Sequence, residues 1–371
     1  MFKIPQNVEY VIGRLTENGY NAYIVGGCVR DILLGKTPHD FDVTTSAKPE
    51  EIISLFEKTV PTGIKHGTVT VICNNQPIEV TTFRTEGLYT DNRRPDSVEF
   101  VEDLKEDLAR RDFTINALAY NHTEGIKDFF GGKEDLNNKI LRAVGDPEKR
   151  FREDALRILR LFRFASTKQF EIEKGTLRAA ISCSHLLKNI SRERIFAELK
   201  KAVIGDNFKV FAKLIECGGL EFLNIKSIPD FEKIKSLKEH PLLCLYLFLK
   251  SDGILELKPS NKEKEYFKTL DLLSYLREPE TSADIKEMLN IATPEILTDF
   301  FILKNLNLNL IKEVLESGEP YLISHLEIDG NTLKQMGYKG EQIGEILEGL
   351  RKTVIKHPKK NNKKDLLKEI P

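Results

Sequence analysis

The sequence contains no run of about 18 apolar residues, which excludes a membrane-crossing helix. Its five cysteines, Cys28, Cys73, Cys183, Cys217 and Cys244, are scattered singly with no CxxC pair. That pattern speaks against a disulfide framework and a zinc site, and it fits reduced thiols in a cytoplasm. No basic segment followed by an apolar one opens the chain, so no secretory signal is expected. Charge of one sign is also missing: 56 Lys+Arg stand against 57 Asp+Glu, for a net charge of -1. The balance excludes a uniformly basic coat protein and an acidic solvating tail, and as an average it argues against a nucleic-acid partner. Repeats of fixed period and low-complexity tracts are absent too. What is present is 40% apolar residues, enough for a packed core, and 30% charged residues over 371 positions. At roughly 150 residues per domain that length predicts two or three domains.

The distribution of charge is more telling than its sum. Of 18 arginines, 16 precede residue 200, and only Arg277 and Arg351 follow it. A guanidinium is a flat bidentate fork where an ammonium is a hydrated point charge, so the front half is equipped to recognise something planar or phosphorylated. Its first ~130 residues alternate helix and strand signals. Val8 to Thr16, Val29 to Leu34, Pro49 to Phe56 and Asp103 to Tyr120 read as helices, and Asn21 to Val25 and Phe41 to Thr44 as strands. Thr68 to Cys73 and Pro77 to Phe83 form a hairpin signal around Asn74-Asn75. Beyond Pro147 strand signals almost vanish, and helical spacing of Leu, Ile and Phe covers Arg150 to Ala165 and, with short breaks, much of the remainder. The expected fold is an α/β head, a small mixed sheet with helices, followed by an all-α neck, body and tail.

Chemistry concentrates in Ile24-Val-Gly-Gly-Cys-Val-Arg-Asp31 and Thr37-Pro-His-Asp-Phe-Asp-Val43. Strand residues at i and i+2 project to one face, so Asp40 and Asp42 pair two carboxylates. Like charges so close need a reason, and a bridging Mg²⁺, which takes hard oxygen ligands and keeps water and phosphate in its shell, supplies one. Gly26 and Gly27 let backbone N–H groups approach a phosphate without a Cβ in the way. Arg30 follows on the next helical turn, within reach of the same anion. Cys28 reads as packing; Phe151, Phe162 and Phe164 read as core; and Asp146, Pro147 and Arg150 read as turn and cap chemistry.

Gly26-Gly27-x-x-Arg30-Asp31 followed by Asp40-x-Asp42 resembles the active-site signature of the class II tRNA nucleotidyltransferases and bacterial poly(A) polymerases, within the polymerase-β-like superfamily. Arg110-Arg-Asp-Phe-Thr-Ile-Asn-Ala117 and Arg152-Glu-Asp-Ala-Leu-Arg-Ile-Leu-Arg160 extend the resemblance, which is specific from about Tyr23 to Val203 and weaker beyond. It implies Mg²⁺-dependent two-metal nucleotidyl transfer, in which an RNA 3′-hydroxyl attacks the α-phosphate of an NTP and pyrophosphate leaves. Asp40 and Asp42 would ligate the metals. Glu79, in Pro77-Ile-Glu-Val-Thr81, is the candidate third carboxylate. Arg111, Arg160 and Arg163 would line the phosphate and nucleotide side of the cleft. The implied divisions are a catalytic head at 1–140, a base-recognising neck at 141–205, a body at 206–275 and a tRNA-binding tail at 276–371.

Asp154 and Arg157, at i and i+3 on an expected helix, share one face. Alone, such a pair is most simply an intrahelical ion pair. Within the resembling block it sets a carboxylate acceptor beside a guanidinium donor. Cytosine presents N4–H₂ next to N3, and adenine N6–H₂ next to N1, so both match that pair. Guanine and uracil present the reverse and would leave a buried charge unpaired, at a cost of about 1–3 kcal/mol. A protein template for C and A follows, and the implied activity is template-independent CCA addition to tRNA from CTP and ATP. The polar segment Arg84 to Val98, with Asp91 and Arg93-Arg94-Pro95, resembles the family's loop for switching from CTP to ATP. Asp329 to Leu347 and Asn362 to Leu367 resemble its tail. In that segment glycine-terminated helices approach the tRNA backbone, and Lys334, Lys339, Lys352, Lys359 and Lys360 are candidate contacts or plain surface. CC-adding and A-adding enzymes and poly(A) polymerases share every motif, although one short terminal lysine cluster favours a tRNA enzyme. An inactive RNA-binding module of the same fold is the alternative from another class, and intact Asp40, Asp42, Asp154 and Arg157 argue against it. No membrane partner is expected.

Overall fold

A computed structural model describes residues 2–87, 98–225 and 229–371. Contacts divide the chain into two compact units, Met1–Leu249 and Lys250–Pro371.

The first unit is built on seven strands: β1 (Ala22–Val25), β2 (Val43–Thr45), β3 (Thr59–Gly63), β4 (Thr68–Cys73), β5 (Gln76–Thr82), β6 (Leu118–Asn121) and β7 (Gly125–Asp128). Their order in the sheet is β3-β4-β5-β2-β1-β6-β7. Only β2 and β5 pair in parallel; the other neighbours are antiparallel. The β4–β5 hairpin turns on Asn74 (φ 50°) and Asn75 (φ 60°), the left-handed pair that a two-residue hairpin requires. β1 is buried on both faces. Ala22 and Ile24 join a core with Val8, Val11 and Leu15 of α1 (Gln6–Glu17) and Ile52 of α3 (Pro49–Leu55). Tyr23 and Val25 point the other way, into a core with Phe83, Leu104 and Leu108.

One expected helix is not there. Asp103 to Tyr120 forms a short helix, α4 (Leu104–Ala109), then a 3₁₀ turn at Thr114–Asn116, and then strand β6 beside β1. All four residues of β6 are buried, and a fully buried strand reads as a continuous apolar run that periodicity cannot separate from a helix. The strands β3 and β7 lie where no strand is expected, because their exposed or half-buried residues carry no alternation.

After α5 (Gly132–Asn137) the unit becomes helical, with α6 (Pro147–Glu153), α7 (Leu156–Lys168), α8 (Lys174–Ser182) and α9 (Arg192–Ala202). α7 packs on α9, where the Ser166 hydroxyl donates to Ala202 O at 2.9 Å. The helix Pro241–Glu256 is interrupted at Lys250, whose φ is 58°.

The second unit is helical throughout its described elements. Its core includes Leu333, Leu347, Leu350 and Val354. The side chain of Arg351 is buried there, held 2.6 Å from both Glu287 and Glu348. Among the described residues no helix is long and apolar enough to cross a membrane.

Candidate active site

The glycine turn follows directly from strand chemistry. β1 ends at Val25, whose N–H donates to Asp42 O at 3.0 Å, so Asp42 leads into β2 alongside the end of β1. The sequence places a strand over Phe41 to Thr44. It begins instead at Val43, and both Asp40 and Asp42 lie on the segment entering it. Gly26 adopts φ 79° and ψ -124° before α2 (Gly27–Leu33), with its N–H on Leu118 O at 3.0 Å. Glycine is required there by the positive φ, which suits no other residue well, and a Cβ would also press on the tip of Arg111, with Nη1 2.9 Å away.

The register of the parallel β2–β5 pair sets Val43 opposite Val80, which brings Glu79 beside Asp42. Glu79 is exposed between Ile78 and Val80, which are buried, so its carboxylate belongs to the open face. Asp40, Asp42 and Glu79 line a cleft of ≈ 750 Å³ with Thr37, His39 and Thr70. The Asp42 carboxyl titrates above the usual range. Crowding by surrounding protein raises it most; Arg111 opposes the rise, and the charges of Glu79 and Asp40 add to it. Asp42 nevertheless keeps solvent contact through the open cleft. Such a carboxylate group is short of positive charge, and its hard oxygens suit Mg²⁺. Among the described residues no three His, Cys, Asp or Glu side chains are grouped to hold an ion by themselves.

Three consecutive residues tie this cleft to the helical neck. Arg110 offers its carbonyl to Arg157 Nη2 at 2.8 Å. Arg111 lies by Asp42 and the Gly26 turn, its Nη2 3.5 Å from Asp107. Asp112 is paired with Arg160 at 2.7 Å. A 3₁₀ turn beyond them aims Asn116 back, so that its amide donates to Asp112 Oδ1 at 2.9 Å and its Oδ1 accepts from Arg30 Nη1 at 2.6 Å. Arg30 is buried, also donates to Asp31, and lies 5.3 Å from the centre of the Phe164 ring. Arg111 and Arg30 both stand at the glycine turn, where a Cβ on Gly27 would meet Arg30 Nη2 at 3.6 Å, and Arg30 also reaches the Phe164 ring of α7.

Asp154 and Arg157 do not share one helix. α6 ends at Glu153, Asp154 is its C-cap with φ -134° and ψ 101°, and α7 begins at Leu156. The Asp154 side chain accepts the Leu156 N–H at 3.1 Å, satisfying a first-turn donor of α7, which is why the chain breaks at an aspartate. Arg157 is anchored by Arg150 O at 3.1 Å and Glu153 at 2.9 Å. Asp154 is held instead by Arg194 of α9, at 2.8 and 3.3 Å. The simple intrahelical ion pair between Asp154 and Arg157 is thus not formed; each pairs separately, and both charges stay fixed near the same break. Asp146 and Pro147 cap α6, as their sequence implies.

Arg160 and Arg163 follow along α7, and both meet acids. Arg163 Nε is 2.6 Å from Glu198 on α9, and Arg160 lies 3.9 Å from the same carboxylate. Burial and the Arg160 charge lower the Arg163 equilibrium, against Glu198. Phe164 is core, as expected, yet Arg30, Arg160 and Arg163 all place their guanidinium groups 4.1 to 5.6 Å from its ring. Burial resists ionisation of Asp112, but Arg160, Asn116 and Arg157 outweigh it and hold its carboxyl down at about 2. Asn116 lies within the resembling block Arg110 to Ala117 but has no role assigned by it, and Arg194, Glu198 and the Phe164 platform carry no local sequence signal of a site. They are defined by partners 35 to 86 positions away, or by a ring that reads as core.

Asp91 and Arg93 to Pro95 lie outside the described residues. In the second unit Asp329 caps the helix Gly330–Gln335, and Gly340 precedes the helix Glu341–Lys356. Lys334, Lys339, Lys352 and Lys359 are exposed; Lys352 stands 3.8 Å from Glu348 and Lys360 pairs with Glu369 at 2.8 Å.

A glycine turn leading into a helix, an aspartate pair at a strand entrance and an adjoining helical neck rich in fixed arginines define a nucleotidyltransferase. Residues 22–142 match the Poly A polymerase head domain, and residues 169–232 the probable RNA and SrmB-binding site of polymerase A. The CCA-adding enzyme of Lactococcus lactis subsp. cremoris MG1363 is 34% identical over 404 residues, covering 99% of this chain and 97% of that protein. That of Streptococcus gordonii is 51% identical over 214 residues, and this match spans 57% of this chain and 54% of the relative. Among solved structures, the Bacillus stearothermophilus CCA-adding enzyme in complex with CTP superposes with a TM-score of 0.80 at 32% identity, covering 97% of this chain and 94% of that one. The chain belongs to the CCA-adding enzyme family, the tRNA nucleotidyltransferases.

Proposed function

We infer that this protein adds C, C and A to the 3′ end of tRNA, drawing on CTP and then ATP without a nucleic-acid template, in the cytoplasm. The observation that carries the reading is the segment Arg110 to Asp112. Three consecutive residues, Arg110 through its carbonyl and Arg111 and Asp112 through their side chains, meet the base-reading arginine, the carboxylate cleft and the neck, so the nucleotide base and its phosphates are handled at a set separation.

Asp40 and Asp42 are the residues that would hold Mg²⁺, with Glu79 as the third carboxylate. The cation supplies charge neutralisation on the phosphates when bound. Gly26 and Gly27 admit the triphosphate to the backbone, and Arg111 offsets its charge. Asp154 accepts from the exocyclic amino group of cytosine or adenine, Arg157 donates to the neighbouring ring nitrogen, and Arg160 and Arg163 keep the nucleotide side of the neck positive. The head at 1–140 would then carry out transfer, the neck at 141–205 would select the base, and beyond the body at 206–275 the tail at 276–371 would bind tRNA, its lysines meeting phosphate.

Three tRNA transcripts, ending at the discriminator base, at -C and at -CC, each incubated with labelled CTP or ATP alone, test the reading. CTP is expected on the first two and ATP on the third. Incorporation of ATP on -CC without CTP on the bare end would instead mark an A-adding enzyme, and CTP without ATP a CC-adding one.

A further inference from the structure

The carboxylate of Asp154 has little acceptor capacity to spare. Its Oδ1 accepts from the Leu156 N–H at 3.1 Å and from Arg194 Nη1 at 3.3 Å, and its Oδ2 accepts from Arg194 Nη2 at 2.8 Å. A carboxylate offers about two lone pairs on each oxygen. These partners leave one acceptor direction, on Oδ2. The two Arg194 contacts form a fork, which fixes the plane of a carboxylate where a single contact fixes only a point. Arg194 is itself set by the first turn of α9, whose body packs on α7.

We propose that Arg194 is a positioning residue for base choice, holding Asp154 so that one Oδ2 lone pair alone meets the incoming nucleotide. The proposal rests on the reading of Asp154 as the base acceptor. With the fork in place, the amino group of cytosine or adenine fills the remaining direction. The carbonyl of uracil or guanine meets it lone pair to lone pair, and the pinned carboxylate cannot turn aside. Without the fork the carboxylate swings about its terminal torsion, and a water can bridge it to a carbonyl. Arg194 therefore sharpens discrimination against UTP and GTP while touching neither substrate nor metal.

The test is single-nucleotide incorporation on a tRNA ending at the discriminator base, with CTP or UTP, for the full chain and for Arg194→Ala, Arg194→Lys, Asp154→Ala and the Arg194→Ala/Asp154→Ala double variant. Arg194→Ala is expected to lower the CTP-to-UTP ratio of kcat/KM roughly tenfold or more, mainly through KM for CTP. Arg194→Lys keeps charge without the fork and should recover only part of the ratio. The double variant should show no lower ratio than Asp154→Ala, since both changes act through one carboxylate. Equal slowing of CTP and UTP in Arg194→Ala, with the ratio intact, overturns the proposal and leaves Arg194 a structural clamp. An unchanged ratio in Asp154→Ala overturns the base-reading assignment itself, so the two failures are distinct. If Arg194→Ala melts early, Arg194→Lys carries the test: a ratio equal to that of the unaltered protein would sink the proposal.

Discussion

On the proposed function, Asp42 is the residue on which the chemistry turns. It sits where β1, β2 and β5 converge, with Glu79 beside it through strand register and Arg111 as the cation acting on it. Removing its carboxylate should abolish transfer of CTP and ATP alike, with tRNA binding retained. A filter-binding assay run beside the incorporation assay checks both halves, and near-normal incorporation by Asp42→Ala would refute the metal assignment. Gly26 offers a second prediction. A Cβ at φ 79° and 2.9 Å from Arg111 Nη1 forces either the turn or the arginine to move. Gly26→Ala should therefore raise KM for both nucleotides, and structural strain there costs on the order of 1–3 kcal/mol. Equal KM values for the variant and the unaltered protein would mean that the turn is not part of the nucleotide site.

Among the elements, the junction of α6 and α7 shows how local preference and function meet. The spacing of Leu, Ile and Phe from Arg150 to Ala165 is helical on both sides of Asp154, so periodicity alone runs the two helices together. The break comes from a side chain that bonds the Leu156 N–H and is also gripped by Arg194, 40 positions along the chain. The neck depends equally on α7 lying close to the segment after α9. A Cβ on Gly205 would fall 2.0 Å from Ser166 Oγ and 2.7 Å from Ser166 O. Gly205→Ala should destabilise the protein by about 1–3 kcal/mol through overpacking, read as a lower urea midpoint with an unchanged slope. An unaltered midpoint would show that this contact yields easily.

At the scale of the whole molecule, a net charge of -1 conceals, within the first unit, a connected run of fixed charges bridged by one amide. It runs from Asp31 and Arg30 through Asn116, Asp112 and Arg160 to Glu198 and Arg163. Asp112 holds its proton less tightly than an unfolded aspartate, at about 2 against 3.8. The native state therefore gains stability that is complete above about pH 4 and is lost as pH falls through about 2. The shift corresponds to about 2 kcal/mol. Urea unfolding of Asp112→Asn should show a shallower loss of stability between pH 4 and 2 than the unaltered protein. Parallel curves through that window would remove Asp112 from the acid limb.

The sequence by itself determined what is local or strictly periodic. The Gly26-Gly27 turn, the Asn74-Asn75 hairpin and the α/β head with helices after it follow from backbone sterics and the two periods of side-chain exposure. It also identified Glu79 as the outward residue between two buried neighbours. Tertiary structure decided the rest, because the remaining facts are about partners. β6 is a strand because β1 and β7 flank it, although its apolar run would serve a helix equally well. Arg30 lies between Asn116 of the head and Phe164 of α7 because the fold brings both beside it, and Asp154 pairs with Arg194 and not with Arg157 because α9 packs on α7. A guanidinium finds its carboxylate through distance in space, and that distance is set only once the helices have closed on one another.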